Sequence, residues 1–169
     1  MLEKGSRCPV KKIYLETSIF SFYYDERPQP DIVARRNWTR EFWELCKTNY
    51  AMFTSVGTLV ELSRGTKPHK DAALKLAQSL PAYPGKDEIK SIMAVYIQEM
   101  VMPRDPFGDA LHLAFASFHK CDFLVTWNCE HLANANKLSH IRLVNSRLGL
   151  HTPELVTPLE LLGKNPDET

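Results

Sequence analysis

Four polar side chains stand where a short apolar segment ends or where a helix begins. Glu16 and Asn128 each follow an apolar segment typical of a buried strand. Glu61 lies on a predicted helix directly after another such segment, and Asp109 opens a further helix. In an open parallel sheet, ligands bind beyond the carboxyl ends of the strands. We therefore expect Glu16, Asp109 and Asn128 to meet at that edge, with Glu61 reaching in from its helix.

Three carboxylates gathered at one edge would favour one kind of chemistry. Like charges repel and are costly to remove from water, so such a cluster takes up protons or binds cations. A set of oxygen ligands without histidine or thiolate suits Mg²⁺ or Mn²⁺ better than zinc. Such an ion can activate a water molecule to attack a phosphodiester. The sequence thus points to phosphodiester hydrolysis.

Each carboxylate also has an ordinary structural role open to it. A solvated charge, a helix cap or a surface ion pair is commoner than a catalytic acid, and Asp109 suits an N-cap. Glu16 is harder to explain in this way because it ends a buried strand. Glu61 is likewise unusual, since apolar residues surround it in the segment 58–62. Periodicity alone leaves the two interpretations open.

Strands and helices alternate along the chain, which predicts an α/β fold with a parallel sheet. The apolar patterns predict strands at 13–15, 51–55 and 123–126, and a last strand near Val144 or Val156. They predict helices at 31–47 with Asp31 as N-cap, at 56–64, 69–80, 86–100 and 110–118, and from about Glu130. Neither repeats nor linkers divide the sequence, so we expect a single domain over residues 1–169.

Composition narrows the class of protein further. The 169 residues are 44% hydrophobic and 24% charged, as in an ordinary globular domain. A near balance of 21 Lys and Arg against 20 Asp and Glu argues against a protein that coats nucleic acid by bulk charge. We expect a cytoplasmic protein without membrane segments or signal peptide. The four cysteines, Cys8, Cys46, Cys121 and Cys129, form no paired motif and are expected to be reduced thiols.

Four segments in order resemble the PIN domain, and in particular the bacterial branch that contains VapC-like toxins. They are residues 14–22, 54–62, 108–116 and 122–131, and the resemblance extends over about residues 10–163. It implies a three-layer α/β/α sandwich with a central parallel sheet of four to five strands. It also implies a ribonuclease whose acidic pocket holds one or two Mg²⁺ or Mn²⁺ ions.

The resemblance assigns the metal to three carboxylates. Glu16, Glu61 and Asp109 match the acidic positions of the family, and Asn128 falls where many relatives carry a fourth acid. Two departures stand out. Glu16 replaces a more usual Asp and has one more methylene, while Asn128 lacks a negative charge but keeps an acceptor oxygen. One tightly bound ion is therefore the expectation, and a relative that does not cut remains an alternative.

Three hydroxyl side chains complete the site that the resemblance implies. Thr17, Ser18 and Thr126 match positions that hydrogen-bond the carboxylates or the phosphate of the substrate. The partners implied are an RNA substrate, a second copy of the chain in a homodimer, and an antitoxin that plugs the pocket. Two alternatives stay open: a module that binds RNA or protein without cutting, and a nuclease that acts on structured DNA.

Further residues near these segments favour structural roles. His112, three residues after Asp109, is expected to pack on the sheet and bond a backbone carbonyl. Trp127 is expected to cover the core rather than stack on a base. Arg35 is expected on a solvated helix face, whereas the basic residues of segment 64–70 are best placed to contact a phosphate backbone.

Overall fold

Five short strands form one sheet in the computed structural model, which describes residues 9–102, 108–128 and 135–163. The strands are β1 (Lys12–Leu15), β2 (Ala51–Ser55), β3 (Ala82–Tyr83), β4 (Phe123–Val125) and β5 (Glu154–Val156). Their order across the sheet is β3-β2-β1-β4-β5, and every neighbouring pair is parallel. The predicted α/β fold with a parallel sheet is confirmed.

Helices connect the strands. They are α1 (Thr17–Tyr23), α2 (Pro30–Asn49), α3 (Val56–Arg64), α4 (Lys70–Gln78), α5 (Asp87–Gln98), α6 (Gly108–Phe118), α7 (Ala135–Leu148) and α8 (Pro158–Leu162). The predicted start of a helix near Glu130 lies outside the described residues. Within the described ranges, no helix is long and apolar enough to cross a bilayer.

The central strand explains why helices must cover both faces of the sheet. Successive side chains of a strand point to opposite faces. Ile13 and Leu15 are fully buried in one apolar core with residues of α1, α2 and α4, whereas Tyr14 is fully buried in a second core with residues of α5, α6 and α7. A strand buried on both faces belongs to the middle layer of a three-layer sandwich, as predicted.

The structure corrects several predicted boundaries. Asp31 is not the N-cap of α2, because Pro30 already takes the first helical turn and Gln29 holds the cap position. Asp109 lies inside the first turn of α6, which begins one residue earlier at Gly108. The last strand forms at Val156, while Val144 is buried on α7.

Helix α5 is shorter than its apolar pattern predicts. The pattern continues to Met100, but the helix ends at Gln98 and Met100 has a φ of 53°. This left-handed turn leaves Met100 68% exposed. The sequence pattern predicts neither helix α1 nor strand β3, since a seven-residue helix and a two-residue strand are too short for a clear periodicity.

Two of the cysteines can be placed. Cys46 and Cys121 are buried free thiols, and burial raises the pKa of Cys46 to about 12 and that of Cys121 to about 11. Cys8 and Cys129 lie outside the described residues.

Candidate active site

The candidate site lies where the strand order changes direction. Strand β1 pairs with β2 on one side and with β4 on the other, so the chain leaves β1 and β4 towards opposite ends of the sheet. Ligands in open α/β sheets bind at such a switch point, outside the carboxyl ends of the strands. Glu16 directly follows β1, and its backbone N–H donates to the carbonyl of Val125 at 3.3 Å. Thr126 and Asn128 follow β4 at the same edge.

Glu16 is a buried carboxylate held by hydroxyl groups. Glu16 is only 8% exposed, and its Oε1 accepts a hydrogen bond from the Ser18 hydroxyl. Burial raises the pKa of Glu16, and the nearby His112 together with hydrogen bonds from Ser18 and Thr126 only partly offset that effect. An acid in this position gains from a proton or from a cation placed beside it.

Glu61 reaches the same edge from helix α3. Its Oε2 accepts hydrogen bonds from the Thr17 hydroxyl and from Nε2 of His112, the latter at 3.1 Å. Burial works to raise the pKa of Glu61, but the hydrogen bond and charge of His112 and the bond from Thr17 lower it overall. The side chain is 35% exposed and lines a cavity at this edge of the sheet. Glu61 is therefore held in its charged form.

His112 connects Glu61 to the second core. Its Nδ1 lies 2.8 Å from the Tyr14 hydroxyl, which lies 2.7 Å from Oγ of Ser55 at the end of β2. Burial alone would lower the pKa of His112, but the Tyr14 oxygen and the Glu61 and Glu16 carboxylates raise it well above its usual value. As an imidazolium it donates from both ring nitrogens.

The predicted backbone-carbonyl partner of His112 is therefore wrong. Within the described residues, its two ring nitrogens bond to side chains, those of Tyr14 and Glu61. The sequence carries only a weak signal for this arrangement. The side chain of Tyr14 points to the face of the sheet opposite to those of Ile13 and Leu15, and the buried helix α6 covers that same face and carries His112.

Asp109 and Asn128 form the other side of the site. Asp109 is buried, and its Oδ1 accepts a hydrogen bond from Nδ2 of Asn128 at 3.2 Å. The backbone N–H of Asn128 donates to Oγ1 of Thr126 at 2.9 Å, which fixes the turn after β4. Asn128 thus joins Asp109 to the edge of the sheet, and the amide acts as a donor to the carboxylate.

A cavity of about 580 Å³ opens over these groups. Glu16, Glu61 and Asn128 line it together with Thr17 and Ser18. Its other walls carry cations and aromatic side chains: Arg35, Lys67, Lys70, His69, Phe22 and Trp127. Of the remaining predicted site residues, Asp109 joins the group through Asn128 and Thr126 through Glu16. All seven predicted site residues therefore lie at one edge of the sheet.

Trp127 takes part in both the core and the cavity. It is buried, as predicted, and its Nε1 donates to Oγ1 of Thr39 at 2.8 Å while its backbone N–H donates to Oγ of Ser18 at 2.9 Å. Arg35 differs from its prediction, because it lines the cavity wall instead of projecting from a solvated helix face.

The donor set suits a hard cation in its chemistry. Three carboxylates and an amide, with no thiolate among them, are the ligands that Mg²⁺ and Mn²⁺ prefer. Burial makes the charged form of Glu16 unfavourable and so raises its pKa, and a cation at the site would offset that cost. As they stand, these side chains accept hydrogen bonds from protein groups, and over the described residues no three His, Cys, Asp or Glu side chains are grouped to hold an ion.

Comparisons with known proteins inform the fold. No protein-family model matches the sequence, and no curated protein sequence matches it. Among solved structures, a chain of the crystal structure of VapBC2 from Rickettsia felis, bound to a DNA fragment from their promoter, is similar with a TM-score of 0.54 and 15% identity. The alignment covers 86% of this chain and 98% of that chain. A likeness at this identity shows the fold, a helix-flanked parallel sheet consistent with a PIN-like architecture.

The ion pair between His112 and Glu61 should contribute to stability in a pH-dependent way. We expect His112→Phe to lower the free energy of unfolding by about 2 kcal/mol, because it removes one hydrogen bond each from Glu61 and Tyr14, which then keep only their bonds to hydroxyl groups. The folded-state pKa of His112 is raised, so its contribution is fully present below the unfolded pKa of about 6.5 and is lost as pH rises through the folded value.

Urea unfolding at pH 6 and pH 9 measures this effect. The deficit of the His112→Phe variant should be larger at pH 6. The exposed His151 provides a control, and His151→Phe should change stability by less than about 0.5 kcal/mol at both pH values. An equal deficit for His112→Phe at pH 6 and pH 9 would show that folding does not raise the pKa of His112.

Proposed function

We propose that this protein is a Mg²⁺- or Mn²⁺-dependent endoribonuclease that hydrolyses RNA phosphodiester bonds. The observation that carries the proposal is the composition of one cavity. Glu16 and Glu61 line it at the carboxyl edge of the sheet together with Asn128, which donates to Asp109. Lys67 and Lys70 line the same cavity. Carboxylates that can hold a cation, in one cavity with cations that can hold a phosphate, match the needs of phosphodiester hydrolysis.

In this proposal each side chain of the site has a defined task. Glu16, Glu61 and Asp109 would hold the metal, which supplies Lewis acidity and lowers the pKa of water when bound. Ser18 and Thr126 fix the position of Glu16, while Thr17 and His112 fix that of Glu61. Lys67 and Lys70 attract the phosphate backbone to the cavity.

The resemblance to VapC-like toxins and the structural likeness to a chain of VapBC2 support a further part of the proposal. The protein would be the cytoplasmic toxin of a toxin–antitoxin pair, act as a homodimer and be inhibited by an antitoxin protein. The gene beside it would then encode a small DNA-binding protein. Co-expression and co-purification of the two products test this part separately from the nuclease activity.

RNA cleavage by the purified protein tests the proposed activity. We expect a single-stranded RNA oligonucleotide to be cut with Mn²⁺ and to stay intact with excess EDTA. A branched DNA of the same length should be cut far more slowly. Preferential cleavage of the branched DNA would show that the same site acts on structured DNA instead of RNA. Cleavage of neither substrate would contradict the proposal.

Three observations favour a second candidate function, binding without cleavage. Glu61 is already paired with His112, Asn128 replaces a possible fourth acid, and no three ligating side chains in the described ranges are grouped around one point. A protein with these features could bind RNA without hydrolysing it. Under this alternative, RNA binds equally well with Mn²⁺ and with EDTA, and no cleavage follows in either.

A further inference from the structure

The cavity that holds the carboxylates is also lined by an arginine, Arg35, with aromatic neighbours. The guanidinium carbon Cζ of Arg35 lies 5.4 Å from the centre of the Phe22 ring and 5.7 Å from that of Trp127. These distances are within the range of cation–π contact. The two rings lie edge to face, 6.1 Å apart, and Trp127 is fixed by its bonds to Thr39 and Ser18. The arginine is therefore held by aromatic faces.

Arg35 is also a cation without an anionic partner in the described part of the chain. Its guanidinium makes no hydrogen bond or ion pair there, since the Thr39 hydroxyl bonds to the backbone carbonyl of Arg35 and not to the side chain. By contrast, Arg27 is paired with Asp25 and Arg147 with Glu99. All the N–H donors of the Arg35 guanidinium are thus available to a ligand in the cavity.

A second cation, Lys67, lines the same cavity. Nζ of Lys67 lies 6.0 Å from the centre of the Phe22 ring, and Lys67 also lines a neighbouring cavity of about 620 Å³ that includes Arg27. His69 lines both cavities too. The neighbouring cavity also carries Asp25 and Glu26, and Asp25 is paired with Arg27. Among these residues, the free positive charge therefore lies on the side of the first cavity, at Arg35 and Lys67.

We propose that Arg35, Phe22 and Lys67 form a subsite for single-stranded nucleic acid, in which Arg35 and Lys67 bind backbone phosphates and Phe22 contacts a base. Single strands are bound by basic grooves that carry aromatic faces, and guanidinium groups recognise phosphate through several parallel hydrogen bonds. A duplex presents no unstacked base to such a wall. The subsite deepens the proposed ribonuclease function, on which it rests, by selecting unpaired substrate next to the carboxylates.

Binding measured without cleavage tests this subsite. The assay follows the fluorescence anisotropy of a labelled ten-nucleotide single-stranded RNA in EDTA, which keeps the RNA intact. We expect Arg35→Gln to weaken binding about tenfold and to reduce the slope of log affinity against log salt by about 0.7, the value for one lost phosphate contact on a single strand. Arg35→Lys should recover part of the affinity, because it restores the charge but not the planar group.

Two further comparisons separate the base from the phosphate. Phe22→Leu keeps an apolar side chain but removes the aromatic face, which also supports Arg35. It should therefore weaken binding of the RNA severalfold and binding of an abasic oligomer of equal length clearly less. Arg142→Gln removes an exposed arginine of α7 that lines neither cavity, and it should leave the affinity within about twofold.

The results distinguish failure of the subsite from failure of the proposed function. If Arg35→Gln binds the RNA like the parent protein while the parent cuts RNA with Mn²⁺, the subsite is wrong and the nuclease stands. If binding depends on Arg35 but no RNA is cut, the subsite stands and the nuclease is wrong. Arg35-dependent binding of a poly-glutamate peptide in place of RNA would overturn the subsite and indicate an acidic protein segment as its ligand.

Discussion

Asp109→Asn is expected to lower the rate of Mn²⁺-dependent RNA cleavage about a thousandfold. A bound metal contributes several kcal/mol to a hydrolytic transition state, and each 1.4 kcal/mol corresponds to a factor of ten. The substitution removes the negative charge but keeps an oxygen that can accept the hydrogen bond from Asn128. Loss of activity should therefore occur without loss of the fold. Initial rates on single-stranded RNA, with thermal unfolding measured in parallel, provide the comparison.

Helix α5 offers a matched control for this substitution. Asp87 stands in the first turn of α5, as Asp109 does in that of α6, so both acids interact with a helix N-terminus. The side chain of Asp87 is 94% exposed and pairs with Lys90. Asp87→Asn should cleave RNA at the parental rate. Equal activity of the Asp109→Asn variant and the parent protein would show that Asp109 has no role in cleavage.

Glu61→Gln is expected to slow RNA cleavage about a hundredfold. The effect should be smaller than at Asp109, since Glu61 is 35% exposed and its charge is partly balanced by His112. The new amide oxygen can still accept from Thr17 and His112, so the positions of these groups should be retained. A loss of this size corresponds to about 3 kcal/mol of transition-state stabilisation.

A glutamate outside the cavity separates charge loss in general from charge loss at the site. Glu44 on α2 is 63% exposed and pairs with Lys47. Glu44→Gln should leave the cleavage rate unchanged. If Glu61→Gln also keeps full activity, then the charge of Glu61 serves the pair with His112 and has no part in hydrolysis.

The sequence predicted the sheet well because its strands are short, apolar and separated by helices. The alternation of Ile13, Tyr14 and Leu15 does not itself show burial on both faces, but the α/β order of elements requires helices on both sides. The position of Glu16 at the end of β1 was sufficient to place it at the carboxyl edge. Boundaries such as the end of α5 escaped prediction, because a left-handed turn at Met100 ended the helix before its apolar pattern did.

The partners of the site residues could not be predicted in the same way. The bond from His112 to Glu61 joins residues 51 positions apart. The contact of Arg35 with Trp127 joins helix α2 to the turn after β4, which meet only in the folded chain. Residue type and spacing indicate which side chains can do chemistry. Which of them neutralise one another depends on tertiary packing, and His112 shows this most clearly.

Binding of Mn²⁺ is the most direct test of the central claim that this cavity is a metal-dependent active site. Electron paramagnetic resonance of free Mn²⁺, recorded during titration of the parent protein and of the Asp109→Asn and Asp87→Asn variants, measures it without any substrate. We expect the parent and Asp87→Asn proteins to bind Mn²⁺ with equal affinity and Asp109→Asn to bind it more than about tenfold more weakly. Absence of Mn²⁺ binding, or equal binding by all three proteins, would contradict the claim.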